Sequence, residues 1–376
     1  MDNNLYSKAD QKWMSLALEI AERGAGFVSP NPLVGCVIVS KEGKKIGQGF
    51  HERYGQAHAE VNAIRSVKKK EQLNGATLYV TLEPCSHHGQ TPPCCEMLAQ
   101  YNWKRIVVAL KDPNEKVNGR GISYLKKQDI PVETGLMEEE AKGLNKFFIH
   151  YQRFKTPFVT LKVVQTLDGY IAAPDGKSAW ISDIESRKKV HRWRSKYDAV
   201  MVGRNTALND NPRLTVRHVE GRQPYRVVID GPLQLPDSLN LFTDQYEEKT
   251  FLFTHNEEGL KKKGDPMLKM LETNYFRGKT FLIDEKEGHS NLQQVFKKLA
   301  KEKITSVLVE AGQNLASALL RENLVDKIAF FIAPKLLGGG TKSTAGLNIL
   351  RMNEIKKIKQ PNWQKTGSDM LFTGYL

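Results

Sequence analysis

Apolar residues recur along this chain with two periods. Trp13, Leu16, Ala17 and Ile20 fall at the spacing of one helix face, and Ser7-Lys8-Ala9-Asp10 ahead of them has the form of a capping box. Gly24 and Gly26 predict the end of that helix. Leu33 to Val39 predicts a short buried strand, with Lys45 to Phe50 as its hairpin partner. A helix over 58–69 turns Val61, Ile64 and Val67 inward. Ala76 to Leu82 predicts a strand, a helix begins after Pro92-Pro93, and Arg105 to Leu110 and Ile130 to Glu133 are further strands. Strands alternating with helices imply a three-layer α/β domain.

The pattern changes at Phe147 to Lys155, where aromatic and basic residues mix before Pro157. A boundary within 147–156 divides the chain into 1–150 and 151–376. In the second part Val159, Leu161 and Val163 alternate with Thr160, Lys162 and Val164, which predicts a half-buried strand. Asp168-Gly169 behind it has the form of a type I′ hairpin turn. A helix follows over 182–196, started by the capping box Ser182-Asp183-Ile184-Glu185, and strands follow at 198–203, 225–230, 250–254 and 305–310. No repeat relates the halves, so the second is a separate α/β domain with its own task.

Composition narrows the class. With 40% apolar and 26% charged residues the 376-residue chain reads as soluble, globular and too long for one core. It has no apolar run of membrane-spanning length and no leader-like start at Met1-Asp2-Asn3-Asn4, so a cytoplasmic protein is expected. Four cysteines make no disulfide framework. The net charge of +14 raises nucleic acid as a partner. No RNA-recognition signature, helix-turn-helix pattern or basic tail supports it. Lys68-Lys69-Lys70 and Lys261-Lys262-Lys263 read as solvated faces, and a small anionic ligand is the simpler expectation.

The chemistry concentrates in His58-Ala59-Glu60, then Pro84-Cys85, then Cys94. Catalytic zinc takes three protein ligands and keeps a fourth position for water, and His58, Cys85 and Cys94 supply three. Glu60 is left for proton transfer, the arrangement of zinc deaminases. Cys94, at a helix start, is favoured as thiolate by the helix dipole. Cys95, His87 and His88 are alternative ligands, although Cys95 diverges from Cys94 by roughly 100° on a helix. Cys36 lies in an apolar strand and reads as a small buried residue. In the second part, Gly203 to Arg217 is a polar loop block, and Val307 to Ala316 reads as strand, tight turn and helix start, a place for a pyrophosphate. No Gly-x-Gly-x-x-Gly follows a strand, so these residues alone leave the cofactor open.

Two motifs carry a resemblance. Thr81-Leu82-Glu83-Pro84-Cys85-Ser86-His87, ending Thr91-Pro92-Pro93-Cys94, puts eight residues between the cysteines, where most zinc deaminases have two. With Ser29-Pro30-Asn31-Pro32-Leu33-Val34-Gly35 it resembles the bifunctional deaminase–reductases of riboflavin biosynthesis over nearly the whole chain. The resemblance implies a cytidine-deaminase-like first domain, a dihydrofolate-reductase-like second domain, Zn2+ and NADPH. It implies that Asn31, His51 and His87 line the pyrimidine pocket. It puts Val164, Trp180, Thr206, Asp210 and the run Gly312, Gln313, Asn314, Leu315, Ala316, Ser317 and Ala318 on NADPH. It puts Ser178, Arg194, Leu214, Arg217 and Glu310 on a phosphorylated ribosyl-pyrimidine substrate. Lys162, Asp168 and Glu310 are unranked candidates for the proton donor of the reduction. The family commonly carries Arg or Lys where Gln90 stands, which weakens a phosphate grip at that position. A homo-oligomer, dimer or tetramer, is the family's habit. Rival readings are an RNA deaminase with an RNA-binding second domain and a zinc-stabilised interaction protein without catalysis.

Overall fold

A computed structural model describes residues 6–86, 92–114, 117–176, 181–262, 277–347, 349 and 351–376. The chain divides into two compact units, Met1–Lys155 and Thr156–Leu376.

The first unit carries helices α1 (Lys8–Ala21), α2 (Ala59–Ser66), α3 (Cys94–Leu98), α4 (Arg120–Lys127), α5 (Glu138–Leu144) and α6 (Lys146–Phe154). Its strands are β1 (Gly35–Val39), β2 (Lys45–Phe50), β3 (Thr77–Leu82), β4 (Arg105–Leu110) and β5 (Val132–Thr134), in the order β2-β1-β3-β4-β5. The first three are antiparallel and β3, β4 and β5 run parallel. Alternate residues of β1 enter two apolar clusters. Val37 and Val39 pack with Met14, Ala17 and Ile20 of α1, and Cys36 and Ile38 with Ala59, Ala63 and Ile64 of α2. That makes the three layers expected from the sequence.

The capping box at α1 is present: the Ser7 side chain accepts from Asp10 N–H, and the Asp10 carboxylate accepts from Ser7 N–H. The buried Asp10 also accepts from the Tyr79 hydroxyl (2.6 Å) and from Arg105, which ties α1 to the sheet. Several predicted ends shift. The first strand starts at Gly35, because the Asn145 side chain holds both the N–H and the C=O of Leu33 (2.8 and 2.9 Å) and takes it out of the ladder. The helix expected over 58–69 ends at Ser66, since Val67 is already extended (ψ 117°). His58 is the N-cap rather than the first helical residue.

The second unit is built on a nine-stranded sheet in the order β11-β10-β9-β8-β14-β6-β15-β18-β17. In chain order its strands are β6 (Phe158–Thr166), β7 (Tyr170–Ala172), β8 (Ala199–Gly203), β9 (Tyr225–Ile229), β10 (Thr250–Thr254), β11 (Lys279–Leu282), β12 (Glu285–Lys286), β13 (His289–Ser290), β14 (Ser306–Glu310), β15 (Lys327–Ala333), β16 (Thr341–Lys342), β17 (Lys359–Thr366) and β18 (Asp369–Tyr375). The helices are α7 (Ile184–Lys196), α8 (Arg204–Asp210), α9 (Asn240–Thr243), α10 (Glu257–Lys262), α11 (Leu292–Lys301) and α12 (Gln313–Arg321). All sheet strands are parallel up to β15, and β18 and β17 close the sheet antiparallel.

The first half of β6, Phe158 to Leu161, is buried on both faces where the strand lies between β14 and β15, while Lys162 and Val164 are half-buried as the alternation expected. Thr160, placed on a polar face by its type, is buried and shares a 2.7 Å hydrogen bond with the Tyr197 hydroxyl. Asp168-Gly169 is no type I′ hairpin. Gly169 N–H closes a turn onto Thr166 C=O with Leu167 and Asp168 outside the left-handed region, and β7 pairs with β16 instead. The cap of α7 is Asp183, not Ser182; its carboxylate accepts from Glu185 N–H.

The packing of α2 on β2 is close enough to test. A Cβ on Gly49 would lie 2.3 Å from Ala63 N and 2.7 Å from Ala59 C=O. Gly49→Ala is expected to force α2 outward at a cost of about 1–3 kcal/mol, read from denaturant unfolding, and to reduce metal retention by the same protein.

Candidate functional site

The three residues expected as metal ligands, His58, Cys85 and Cys94, come together at two helix starts and one strand end. His58 Nδ1 lies 3.2 Å from Cys94 Sγ and 3.5 Å from Cys85 Sγ, and the three ligand atoms all fall within 4.8 Å of one another. Tetrahedral zinc with Zn–N near 2.0 Å and Zn–S near 2.3 Å sets N···S edges of roughly 3.5 Å. Donor set and spacing therefore fit Zn2+. Among the described residues no other group of His, Cys, Asp and Glu gathers this way. His87, His88 and Gln90 lie outside the described residues.

Glu60 is outside the ligand set, in the first turn of α2, and only 3% exposed. Burial, then the nearby Cys85, push its carboxyl up to about 7. A cation at the cluster pulls it back down. The two thiols divide their roles differently from the sequence expectation. Cys94 N–H, the first of α3, donates to Cys85 Sγ at 3.2 Å, so the helix start serves the other cysteine. Cys85 is held well below the ordinary thiol range by its hydrogen bonds from Cys94 and His58. Cys94 is pushed up, by its bond to Cys85, by burial and by Glu60. Cys95 points into the apolar cluster with Leu98 and Ile122, and burial raises its thiol to about 11. Cys36 is fully buried in the same cluster.

His51 is buried beside His58, with ring centroids 5.5 Å apart. Its Nδ1 donates to Ala57 C=O and its Nε2 accepts from Asn31 Nδ2, both at 3.1 Å. Asn31 and His51 are thus one hydrogen-bonded pair next to the ligands. The sequence reading missed Asn145, which holds the Leu33 backbone two residues after Asn31.

In the second unit the strand register puts Glu310 of β14 opposite Lys162 of β6. Lys162 Nζ donates to Glu310 Oε2 at 3.1 Å, and Arg194 grips the same carboxylate through Nε and Nη2 at 2.6 and 3.0 Å. Burial would raise the Glu310 carboxyl, but Arg194 and Lys162 outweigh it and hold it far below the usual range. Arg194 Nη1 also donates to Thr215 C=O (2.9 Å). His191, missed in the sequence although it lies one helical turn from Arg194, accepts from Arg217 N–H through Nδ1 at 2.9 Å. Burial, then Arg194, push His191 down to about 3, so it stays a neutral acceptor. Leu214 is buried with a left-handed backbone (φ 52°) and turns the loop toward Arg217.

Asp168 has other partners. Its carboxylate accepts from the Thr166 hydroxyl and from Leu337 and Gly338 N–H, and these bonds, that of Thr166 first, lower its pKa. Val164 packs against the cluster of Val190 and Phe331. Ser178 and Trp180 lie outside the described residues.

β14 sits between β8 and β6, and the chain leaves this region to either side, toward β9, β10 and β11 or toward β15. Ligands of open α/β sheets bind at such switch points. There α8 starts after Gly203 and α12 after Gly312, neither with a side-chain cap. A Cβ on Gly312 would lie 3.3 Å from Thr206 Oγ1, so glycine keeps the gap between the two helix starts open. Open N–H groups and that gap fit a dinucleotide pyrophosphate. Gln313, Asn314 and Leu315 belong to this first turn, whereas Ala316 is core, Ser317 is buried and Ala318 packs on the core. Asp210 is exposed at the far end of α8.

Residues 7–110 match the cytidine and deoxycytidylate deaminase zinc-binding region, and residues 157–372 match the RibD C-terminal domain. The riboflavin biosynthesis protein RibD of Aquifex aeolicus (strain VF5) is 40% identical over 372 residues, 98% of both chains. The chain belongs to the RibD family. The RibD of Escherichia coli (strain K12) is 39% identical over 96% of this chain and 98% of its own. Among solved structures, Acinetobacter baumannii RibD (form 1) superposes with a TM-score of 0.85 at 36% identity, covering 98% of this chain and 99% of that one. A deaminase–reductase of Thermotoga maritima gives 0.86 at 36% identity, covering 98% of each chain. No helix among the described residues is long and apolar enough to cross a membrane. Membership in the RibD family brings a zinc deaminase and an NADPH-dependent reductase into one chain.

Two outcomes follow for the metal cluster. Cys94→Ser is expected to lose bound zinc and Cys95→Ser to keep it, measured as metal per chain after desalting. In the zinc-free protein Glu60 is expected to titrate near 7, and adding Zn2+ should shift that titration to lower pH, followed by carboxyl 13C NMR against Glu60→Gln.

Proposed function

We propose that the chain carries out two successive steps of riboflavin formation. The first unit hydrolyses the amine from 2,5-diamino-6-(5-phosphoribosylamino)pyrimidin-4-one. The second reduces the ribosyl group of the resulting 5-amino-6-(5-phosphoribosylamino)uracil to ribityl. The Thermotoga maritima relative bears the names of both activities. The observation that carries the reading is the three-ligand cluster with a buried, non-ligating carboxyl beside it.

Zn2+, held by His58, Cys85 and Cys94, supplies Lewis-acid activation of a water molecule at the ring carbon that bears the amine. Glu60 takes a proton at its carboxylate and returns it to the ring and the leaving ammonia, a cycle for which its buried place beside the ligands suits it. Asn31, fixed by His51, and His87 orient the pyrimidine.

NADPH supplies the hydride for the second step. The first turn of α12 from Gly312, with Val164, Trp180, Thr206 and Asp210, holds the cofactor. Ser178, Leu214, Arg194 and Arg217 hold the phosphorylated sugar; the Arg194 fork is committed to Glu310 and adds its charge, while the Arg217 guanidinium is suited to the phosphate. Of the three proton-donor candidates, Glu310 is locked as a carboxylate between two cations, and Asp168 is ionised and tied to its turn. That leaves Lys162 as the proton donor, held in place by its hydrogen bond to Glu310. We further propose a homo-oligomer, dimer or tetramer, in the cytoplasm, where the free thiols of all four cysteines stay reduced.

A coupled assay tests this by following ammonia release and NADPH oxidation separately on the ribosyl phosphate substrate. Glu60→Gln is expected to slow ammonia release by about a hundred- to ten-thousand-fold and to leave reduction of a supplied deaminated intermediate intact. Lys162→Met should do the reverse. Ammonia release without NADPH oxidation by the wild type would return the second unit to a binding role.

A further inference from the structure

Glu83 stands between the end of β3 and the ligand Cys85, and it is only 4% exposed. A buried carboxylate is costly unless its oxygens are satisfied. Four backbone N–H groups do so. Oε2 accepts from Asp112 (3.2 Å) and Gly119 (2.8 Å), and Oε1 from Gly121 (3.0 Å) and Ile122 (3.3 Å). Gly121 and Ile122 are the second and third residues of α4, whose own N-cap, Gly119, is left-handed and offers no side-chain acceptor. Glu83 therefore caps a helix that lies 38 residues further along the chain at Gly121.

The cap reaches the metal cluster through one peptide. Gly121 lies so close to the turn that a Cβ there would sit 2.0 Å from Pro84 C=O. Pro84 and Cys85 share that peptide. Cys85 itself is only partly buried. What fixes it is hydrogen bonding: its C=O accepts from Cys95 N–H (3.2 Å), its Sγ from Cys94 N–H (3.2 Å), and Glu83 N–H donates to Leu110 C=O (2.9 Å). The α4 start, held by the Glu83 carboxylate, is the wall against which the Pro84 carbonyl rests.

We propose that Glu83 is a positioning residue for the metal centre, locking the first turn of α4 against Pro84 and thereby setting the direction in which Cys85 presents its sulfur. The inference rests on the zinc reading of His58, Cys85 and Cys94. Partners one step removed from the ligands typically alter metal affinity 10- to 100-fold. Loss of the second acceptor oxygen in Glu83→Gln is expected to raise the Zn2+ dissociation constant by about that factor.

The test uses the full chain and zinc alone. Competition with a chromophoric chelator gives the dissociation constant, and the Co2+-substituted protein gives the thiolate-to-metal charge-transfer band. A folded Glu83→Gln protein, checked by circular dichroism, should bind zinc more weakly and show an altered band. The wild type should show the reciprocal effect: adding zinc slows amide exchange at Gly119, Gly121 and Ile122 beyond any change in α1. This second measurement decides the matter where Glu83→Gln does not fold. A folded variant with wild-type affinity and band, or wild-type exchange at those amides blind to zinc, overturns the proposal. A wild type that binds zinc no better than Cys94→Ser fails earlier, at the zinc reading itself.

Discussion

The approach of α2 to β2 is the constraint on which the metal centre depends. A strand with a side chain at position 49 would hold the helix away, since backbone atoms of Ala59 and Ala63 occupy the space a Cβ would need. With glycine there, the helix start comes down onto the sheet. His58 then meets two sulfurs delivered from the far end of β3 and from α3, and Glu60 is taken out of water in the same movement. Desolvation of that carboxyl and assembly of the ligands are one event in the packing. The deaminase chemistry needs both together, because a solvated glutamate would be a weaker base for a proton cycle near neutral pH.

The second unit solves a different electrostatic problem. Glu310 is an anion at a strand end with little access to water, which would be unfavourable by itself. Arg194 from α7 and Lys162 from the neighbouring strand neutralise it in a geometry that satisfies both carboxylate oxygens. Two cations around one anion leave a local positive excess, and Arg213 and Arg217 add to it. Such a field suits the phosphorylated sugar proposed to bind there.

Much of this was legible in the residues. The zinc ligands carry a spacing that few other chemistries share, and the alternation of strands and helices gave the α/β class in both parts. What escaped was set by tertiary contacts. Thr160 looks polar in a list, yet a helix layer covers it. Asp168 looks like an acid near a strand mouth, yet a turn and a loop consume its oxygens. The dipole argument placed the thiolate on Cys94, the residue at the helix start, whereas the first N–H of α3 points to the sulfur of its neighbour in space. His191 and Asn145 act on backbone groups far along the chain, and no local pattern announces such pairings.

That last N–H has a consequence for the life of the protein before it acquires its metal. Of the four cysteines, Cys85 combines the most acidic thiol with partial access to solvent, while Cys94, Cys95 and Cys36 are buried and held protonated. Nucleophilic reactivity follows the thiolate. Before a metal binds, Cys85 is therefore the thiol most ready to ionise, at a position that would hold the metal. A metal ion held there would take up that thiolate and withdraw it from competing nucleophilic chemistry.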